Sequence, residues 1–333
     1  MTIPVISVRP VVLPAPGRGE DLQLRVSAPA AGTDLPVIVF SHGFGESMDG
    51  YAPLAVYWAA NGFVVVQPTH LDSRTLNVTP DDARYPEIWR FRVEDLSRTL
   101  DHLDAVEDAV PGLAGRIDRD RIAAAGHSWG AQSVSMLLGA RVLGATADPQ
   151  SPGATADPQN PGATADPQSP GATADPQNPG AASTLDPRAL ATPDPRVRAG
   201  VLLAVPGTGG ADLTPFAAEH FPFMNPDFAS MTTPTLVVAG DKDQSALSVR
   251  GPEWFTDAYR LSPGAKSLLT LFGAEHSLGG ITGYQSTETT DESPERVDAV
   301  RRLTAAFLRS ALDPSDSGWA AASAEPQGRI DSK

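Results

Sequence analysis

Arg121-Ile-Ala-Ala-Ala-Gly-His-Ser-Trp-Gly130 joins a short apolar run to a stretch of helical character, Ala131 to about Arg141. A run of small apolar residues that ends at glycine suits a buried strand. Gly126-His-Ser-Trp-Gly130 then reads as a sharp strand-to-helix turn. Such a turn forces the central serine into a strained backbone conformation. Glycines two before and two after it remove side chains that would clash, so the hydroxyl stands exposed at the strand's end. On this reading Ser128 is a candidate nucleophile.

Working outward, the same kind of run recurs at Leu35-Pro-Val-Ile-Val-Phe-Ser41, Phe63-Val-Val-Val-Gln67, Ala199-Gly-Val-Leu-Leu-Ala-Val205, Thr235-Leu-Val-Val-Ala239 and Ser267-Leu-Leu-Thr-Leu-Phe272. Near-continuous apolar runs suit parallel strands covered on both faces. Val5 to Leu13 and Leu22 to Val26 read as an antiparallel entry to the sheet. Between the runs lie helical stripes. Trp89, Val93, Leu96, Leu100, Leu103 and Val106 mark one, ended by Pro111 and Gly112. Val297, Val300, Leu303, Phe307 and Leu308 mark another, with Ser293 as N-cap and Pro294 in its first turn. Strands alternating with helices predict a doubly wound α/β fold with a mostly parallel sheet and helices on both faces.

A serine nucleophile needs a base, and the base needs an orienting acid at the same sheet edge. In a parallel sheet that edge is where the strands' C-terminal ends meet the loops. Strand 235–239 runs into Gly240-Asp-Lys-Asp243, and strand 267–272 into Gly273-Ala-Glu-His276. His276 is therefore the candidate base, with Asp241 or Asp243 as its acid. The residue after the nucleophile, Trp129, supplies one backbone N–H of an oxyanion hole, and the loop after strand 35–41 supplies the other.

Phe40-Ser-His-Gly-Phe-Gly45, Gly126-His-Ser-Trp-Gly130, Gly240-Asp-Lys-Asp243 and Glu275-His276 together resemble the motifs of α/β-hydrolases. The likeness spans residues 35 to 312 and is nearest to the branch of dienelactone-hydrolase-like, chlorophyllase-like and platelet-activating-factor-acetylhydrolase-like esterases. The order Ser128, Asp243, His276 is the order of that superfamily. The resemblance implies Asp243 as the triad acid and Phe44 as the second oxyanion donor. Ser128 stands where dienelactone hydrolases proper carry Cys, and Trp129-Gly130-Ala131 where chlorophyllases typically read Arg-Gly-Gly. What is implied is a serine carboxylester hydrolase working through an acyl-enzyme. A lipase or phospholipase, and a lyase or acyltransferase on the same fold, are the alternatives.

The connection between Val205 and Thr235 holds Phe216, Phe221, Phe223, Met224, Phe228 and Met231. It leaves a strand at the catalytic edge, so Phe221, Phe223 and Met224 are candidates for an apolar pocket beside Phe44 and Trp129. His70, just past strand 63–67, is a candidate substrate contact. His42 and His127 read as packed, loop-ordering residues. No histidine spacing matches a metal hydrolase, and the reading implies no cofactor.

Residues 144–179 repeat Gly-Ala-Thr-Ala-Asp-Pro-Gln-(Ser/Asn)-Pro four times, with no apolar residue larger than Ala. Such a segment cannot bury enough surface to offset its ordering entropy. We read 144–182 as a disordered insertion in one domain over 1–312, protruding from the face remote from Ser128. A polar tail, 313–333, follows. The 25 Lys+Arg against 40 Asp+Glu leave a net charge of −15 across 333 residues, which excludes gripping nucleic acid or anionic lipid. The zero Cys count excludes disulfides and a thiol nucleophile. No run is long enough to span a membrane, and the first residues lack a secretory pattern. The expectation is a cytoplasmic protein whose partner is a small-molecule ester; the sequence is silent on oligomeric state.

Overall fold

A computed structural model describes residues 3–143, 193–284, 289–322 and 326–333. The insertion expected at 144–182 lies outside the described residues. In chain order the elements are β1 (Val5–Leu13), β2 (Leu22–Pro29), β3 (Leu35–Ser41), α1 (Ala52–Ala60), β4 (Val64–Pro68), α2 (Ile88–Asp101), α3 (Leu103–Ala109), β5 (Ile117–His127), α4 (Trp129–Leu137), β6 (Arg141–Val142), β7 (Val197–Leu203), α5 (Pro215–His220), β8 (Pro226–Asp227), β9 (Thr235–Gly240), α6 (Asp257–Leu261), β10 (Lys266–Leu271), α7 (Pro294–Leu312), α8 (Gly318–Ala321) and β11 (Gly328–Ser332).

Nine strands form one sheet in the order β1-β2-β4-β3-β5-β7-β9-β10-β11. From β4 to β10 neighbouring strands run parallel. Antiparallel pairs close both edges, β1 and β2 on one side and β11 on the other. Every residue of β4 and of β9 is buried, which is why these strands read as unbroken apolar runs rather than alternating ones. Helix α1 packs with α7, and α2 with α4, giving a helical layer on each face. The first of these layers is held by a long-range bond, Trp58 Nε1 donating to Thr304 Oγ1 across α1 and α7 at 3.0 Å. Ser293 caps α7 as its sequence predicts, its Oγ accepting from the Arg296 N–H.

Two expectations are corrected. The segment 313–333 is not only a tail beyond the domain: Gly328–Ser332 is β11, paired antiparallel with β10 from Ser267↔Ser332 to Leu271↔Gly328. Five residues with one large apolar side chain carry little strand signal, and charged Arg329 and Asp331 suit an exposed edge. The single stripe expected over 89–106 is two helices, α2 and α3, parted at His102, whose ψ of 33° leaves the helical range. After α4 the chain turns back through β6, which pairs with β8, and Leu143 donates its N–H to Asn225 O, beside the cleft described below. Beyond the segment outside the described residues, Asp194 N–H bonds Leu137 O at the C-terminal end of α4.

Candidate active site

Between β5 and α4 the backbone makes the turn that the Gly-x-Ser-x-Gly spacing predicts. Ser128 has φ 54° and ψ −122°, a strained conformation for a residue with a side chain. A Cβ on Gly126 would come within 2.4 Å of Gly130 O, and one on Gly130 within 2.0 Å of Ser41 O. Both contacts are with backbone that cannot move aside, so only glycine permits the turn to pack on β3. The Ser128 N–H is held by Leu203 O of β7 at 2.9 Å.

Loops from two further strands converge on this hydroxyl. His276, after β10, places Nε2 2.9 Å from Ser128 Oγ and Nδ1 2.9 Å from Asp243 Oδ2. Asp243 is fully buried, whereas the His276 side chain is 44% exposed. Asp241 faces elsewhere: its Oδ1 accepts the Gly273 N–H at 2.7 Å and so ties the two loops together. The histidine loop has a second anchor that sequence reasoning missed. Asp291 Oδ2 accepts from the amides of Glu275 and Gly279 at 2.8 and 3.0 Å, on either side of His276.

The loop after β3 is held even more closely. His42 O accepts from Arg92 Nη2, Gly43 N–H donates to Tyr51 Oη at 3.0 Å, and Gly45 N–H donates to Asp72 Oδ2 at 3.1 Å. Arg92 is itself paired with Asp72, and both side chains are buried. Between these clamps the Phe44 N–H has no acceptor among the described residues, and neither has the Trp129 N–H at the start of α4. Both amides are thus available to a ligand.

Tyr51 also links this loop to the histidine loop. Its hydroxyl accepts from Gly43, so its proton goes to His127 Nδ1 at 2.8 Å, and His127 Nε2–H donates to His276 O at 2.8 Å. Tyr51→Phe removes the centre of that chain and leaves two buried polar groups unpaired. We expect kcat to fall roughly 10- to 100-fold with KM changed by less than about threefold, checked by steady-state kinetics.

Three histidines here are neutral for a common reason. Burial, reinforced by Arg92, lowers His42 to about 4. Burial, with His276 nearby, lowers His127 to about 3. Burial and Arg92 hold His70 well below the ordinary imidazole value. Their bonds fix the tautomers: His42 Nδ1–H donates to Gly43 O, and His42 Nε2 accepts from His70 N–H. In an unfolded chain all three would protonate below about pH 6.5. Their stability contribution is therefore complete above that pH and is lost as the pH falls toward their folded values. Each costs about 1.4 kcal/mol per pH unit in that window. Asp95, raised by burial although Arg18 opposes the shift, works in the opposite sense. Acid unfolding is expected near pH 4–5 with uptake of roughly two to three protons, measured by pH-jump titration of the unfolding free energy.

Beside the two available amides opens a cleft of about 820 Å³, lined by Phe44, Trp129, Phe221 and Phe223 among others. Phe44 and Trp129 meet edge-on at 4.9 Å, and Phe223 meets Trp129 at 5.1 Å and 78°. The expected pocket residues Phe221 and Phe223 are thus on its wall, joined by Trp89, which stacks on Phe223 at 12°. Two other expected contacts are corrected. Met224 is fully buried beneath the loop, with Phe228 and Met231, and caps the core. His70 points inward: its Nδ1 lies 2.9 Å from Asp95 Oδ2 and its Nε2 2.9 Å from Ser41 Oγ, with no exposure. Its place at the strand end was legible; the buried Arg18–Asp95 pair that turns it inward was not.

Among the described residues no group of three or more His, Asp or Glu side chains could hold a metal ion. None of the described helices is long and apolar enough to cross a membrane. The model of the family described as "Alpha/beta hydrolase family" matches residues 38–281, from β3 to the loop beyond His276. No curated protein matches the chain.

Proposed function

We propose that this chain, which belongs to the alpha/beta hydrolase family, is a serine carboxylester hydrolase of the esterase branch that its motifs resemble. The observation that carries this reading is the hydrogen-bonded series Asp243–His276–Ser128, with both links at 2.9 Å. His276 Nε2 takes the Ser128 proton as Oγ attacks the ester carbonyl, while Asp243 holds the imidazole tautomer and stabilises the imidazolium. The carbonyl oxygen becomes an oxyanion held by the amides of Phe44 and Trp129. His276 then gives its proton to the departing alcohol, leaving an acyl group on Ser128, and water repeats the sequence to release the acid. Removing one oxyanion donor from such a site typically costs 10²–10³ in kcat. The clamps on the Phe44 loop therefore bear directly on rate.

A shared acyl-enzyme has a signature in its products. With methanol added, esters of one acid and several alcohols are expected to give one constant ratio of methyl ester to free acid, since all pass through the same intermediate. A ratio that changes with the leaving alcohol, or no turnover of any ester, would overturn the proposal.

A further inference from the structure

We infer that the aromatic cleft receives the acid part of the ester, that the alcohol part rests against the open His276 side, and that the enzyme selects esters of arylalkyl carboxylic acids with little regard to the alcohol. This rests on the serine esterase reading above. The direction of each bond at the carbonyl carbon decides the placement. A proton leaving His276 Nε2 must reach the alcohol oxygen, so the alcohol lies on the histidine side. The carbonyl oxygen lies toward the Phe44 and Trp129 amides. The remaining substituent on the carbonyl carbon is the acyl chain, and it must leave away from His276.

The cleft fits that third direction. Phe44 and Trp129 line it, whereas His276, Asp243 and Phe255, which packs against the His276 ring at 5.6 Å, do not. On the histidine side the imidazole is 44% exposed, so little wall confines an alcohol. The cleft's 820 Å³ lies within the range of small-molecule sites and far exceeds the need of an acetyl group. Its walls also favour rings over chains. Phe44 and Phe216, 45% and 58% exposed, present open ring surface on its wall for a further aromatic group to engage.

Two ester series with the full chain test this. With p-nitrophenol as the constant leaving group, kcat/KM is expected to rise at least about 10²-fold from acetyl to 3-phenylpropanoyl. It should also favour 3-phenylpropanoyl over 3-cyclohexylpropanoyl by roughly 3- to 10-fold, although the two carbonyls have similar intrinsic reactivity. With 3-phenylpropanoate as the constant acid, methyl, butyl and benzyl esters should differ by less than about threefold. In Phe223→Ala the 3-phenylpropanoyl-to-acetyl preference should collapse by about tenfold. Turnover that follows the alcohol and ignores the acid overturns this inference and leaves the esterase reading standing. No turnover in either series overturns both.

Discussion

Ser128→Ala is expected to lower kcat by about 10⁴- to 10⁶-fold while moving the melting temperature by no more than a degree or two. The Ser128 side chain makes one hydrogen bond, to a partly exposed imidazole, and alanine occupies the same positive-φ backbone position at similar strain. Little folding energy is therefore lost, but the atom that attacks in the proposed mechanism is gone. What persists is the residual catalysis of oriented amides and the binding cleft over solution, typically 10³–10⁴. His276→Ala should cost about as much, and the double variant scarcely more, since the two act as one unit. Asp243→Asn keeps a hydrogen-bonding group but favours the wrong tautomer, for a loss of about 10⁴. Steady-state kinetics with thermal melts on each variant check these values; additive losses across the three would contradict the shared role.

Arg92→Met is expected to be the most damaging change away from the nucleophile. Arg92 spans Asp72, His42 O and Ser133 Oγ with both members of its ion pair buried. Burial alone would raise Asp72, yet the Arg92 guanidinium, helped by the Gly45 amide, keeps it below the ordinary carboxylate range. Removing the guanidinium strands that carboxylate, a loss of about 3–5 kcal/mol. For a chain of this size that lowers the melting temperature by roughly 10 °C. The Phe44 loop loses its hold on His42 O, and the Gly45 anchor now carries an unpaired charge, so kcat falls as well. Adding Asp72→Asn removes the stranded charge and should recover part of the stability but not the rate. An Arg92→Met protein that melts and turns over like the parent would refute the clamp.

The parts of the candidate site that are legible in the sequence are those fixed by local spacing. Gly126, Ser128 and Gly130 announce a turn because two close backbone approaches require glycine within five residues. Gly240-Asp-Lys-Asp243 and Glu275-His276 stand out because each follows a strand that must end at one edge. The choice between Asp241 and Asp243 is different in kind. Both sit on the same short loop, and only the tertiary path of β10 separates the carboxylate facing His276 from the one facing Gly273.

The supporting network was hidden for a related reason. Arg92 and Asp95 lie on α2 among apolar stripe positions, and in sequence they look like a solvated face; in the fold both are buried. Asp291 sits in a Thr-Glu-Thr-Thr-Asp-Glu run that has the composition of a plain loop. Tyr51 is 76 residues from the His127 that it bonds. Charged residues give the same letters whether they face water or a partner, and no periodicity distinguishes the two. The strand β11 was missed for lack of apolar residues, and His70 was misjudged because a strand's end fixes location but not the direction of a side chain two residues beyond it.

The most direct measurement is covalent labelling with a fluorophosphonate, followed by mass analysis of the peptides. One adduct per chain is expected, on Ser128, formed at least about 10³-fold more slowly in His276→Ala because the base no longer takes the hydroxyl proton. An unlabelled protein, or an adduct on a different serine, would contradict this expectation.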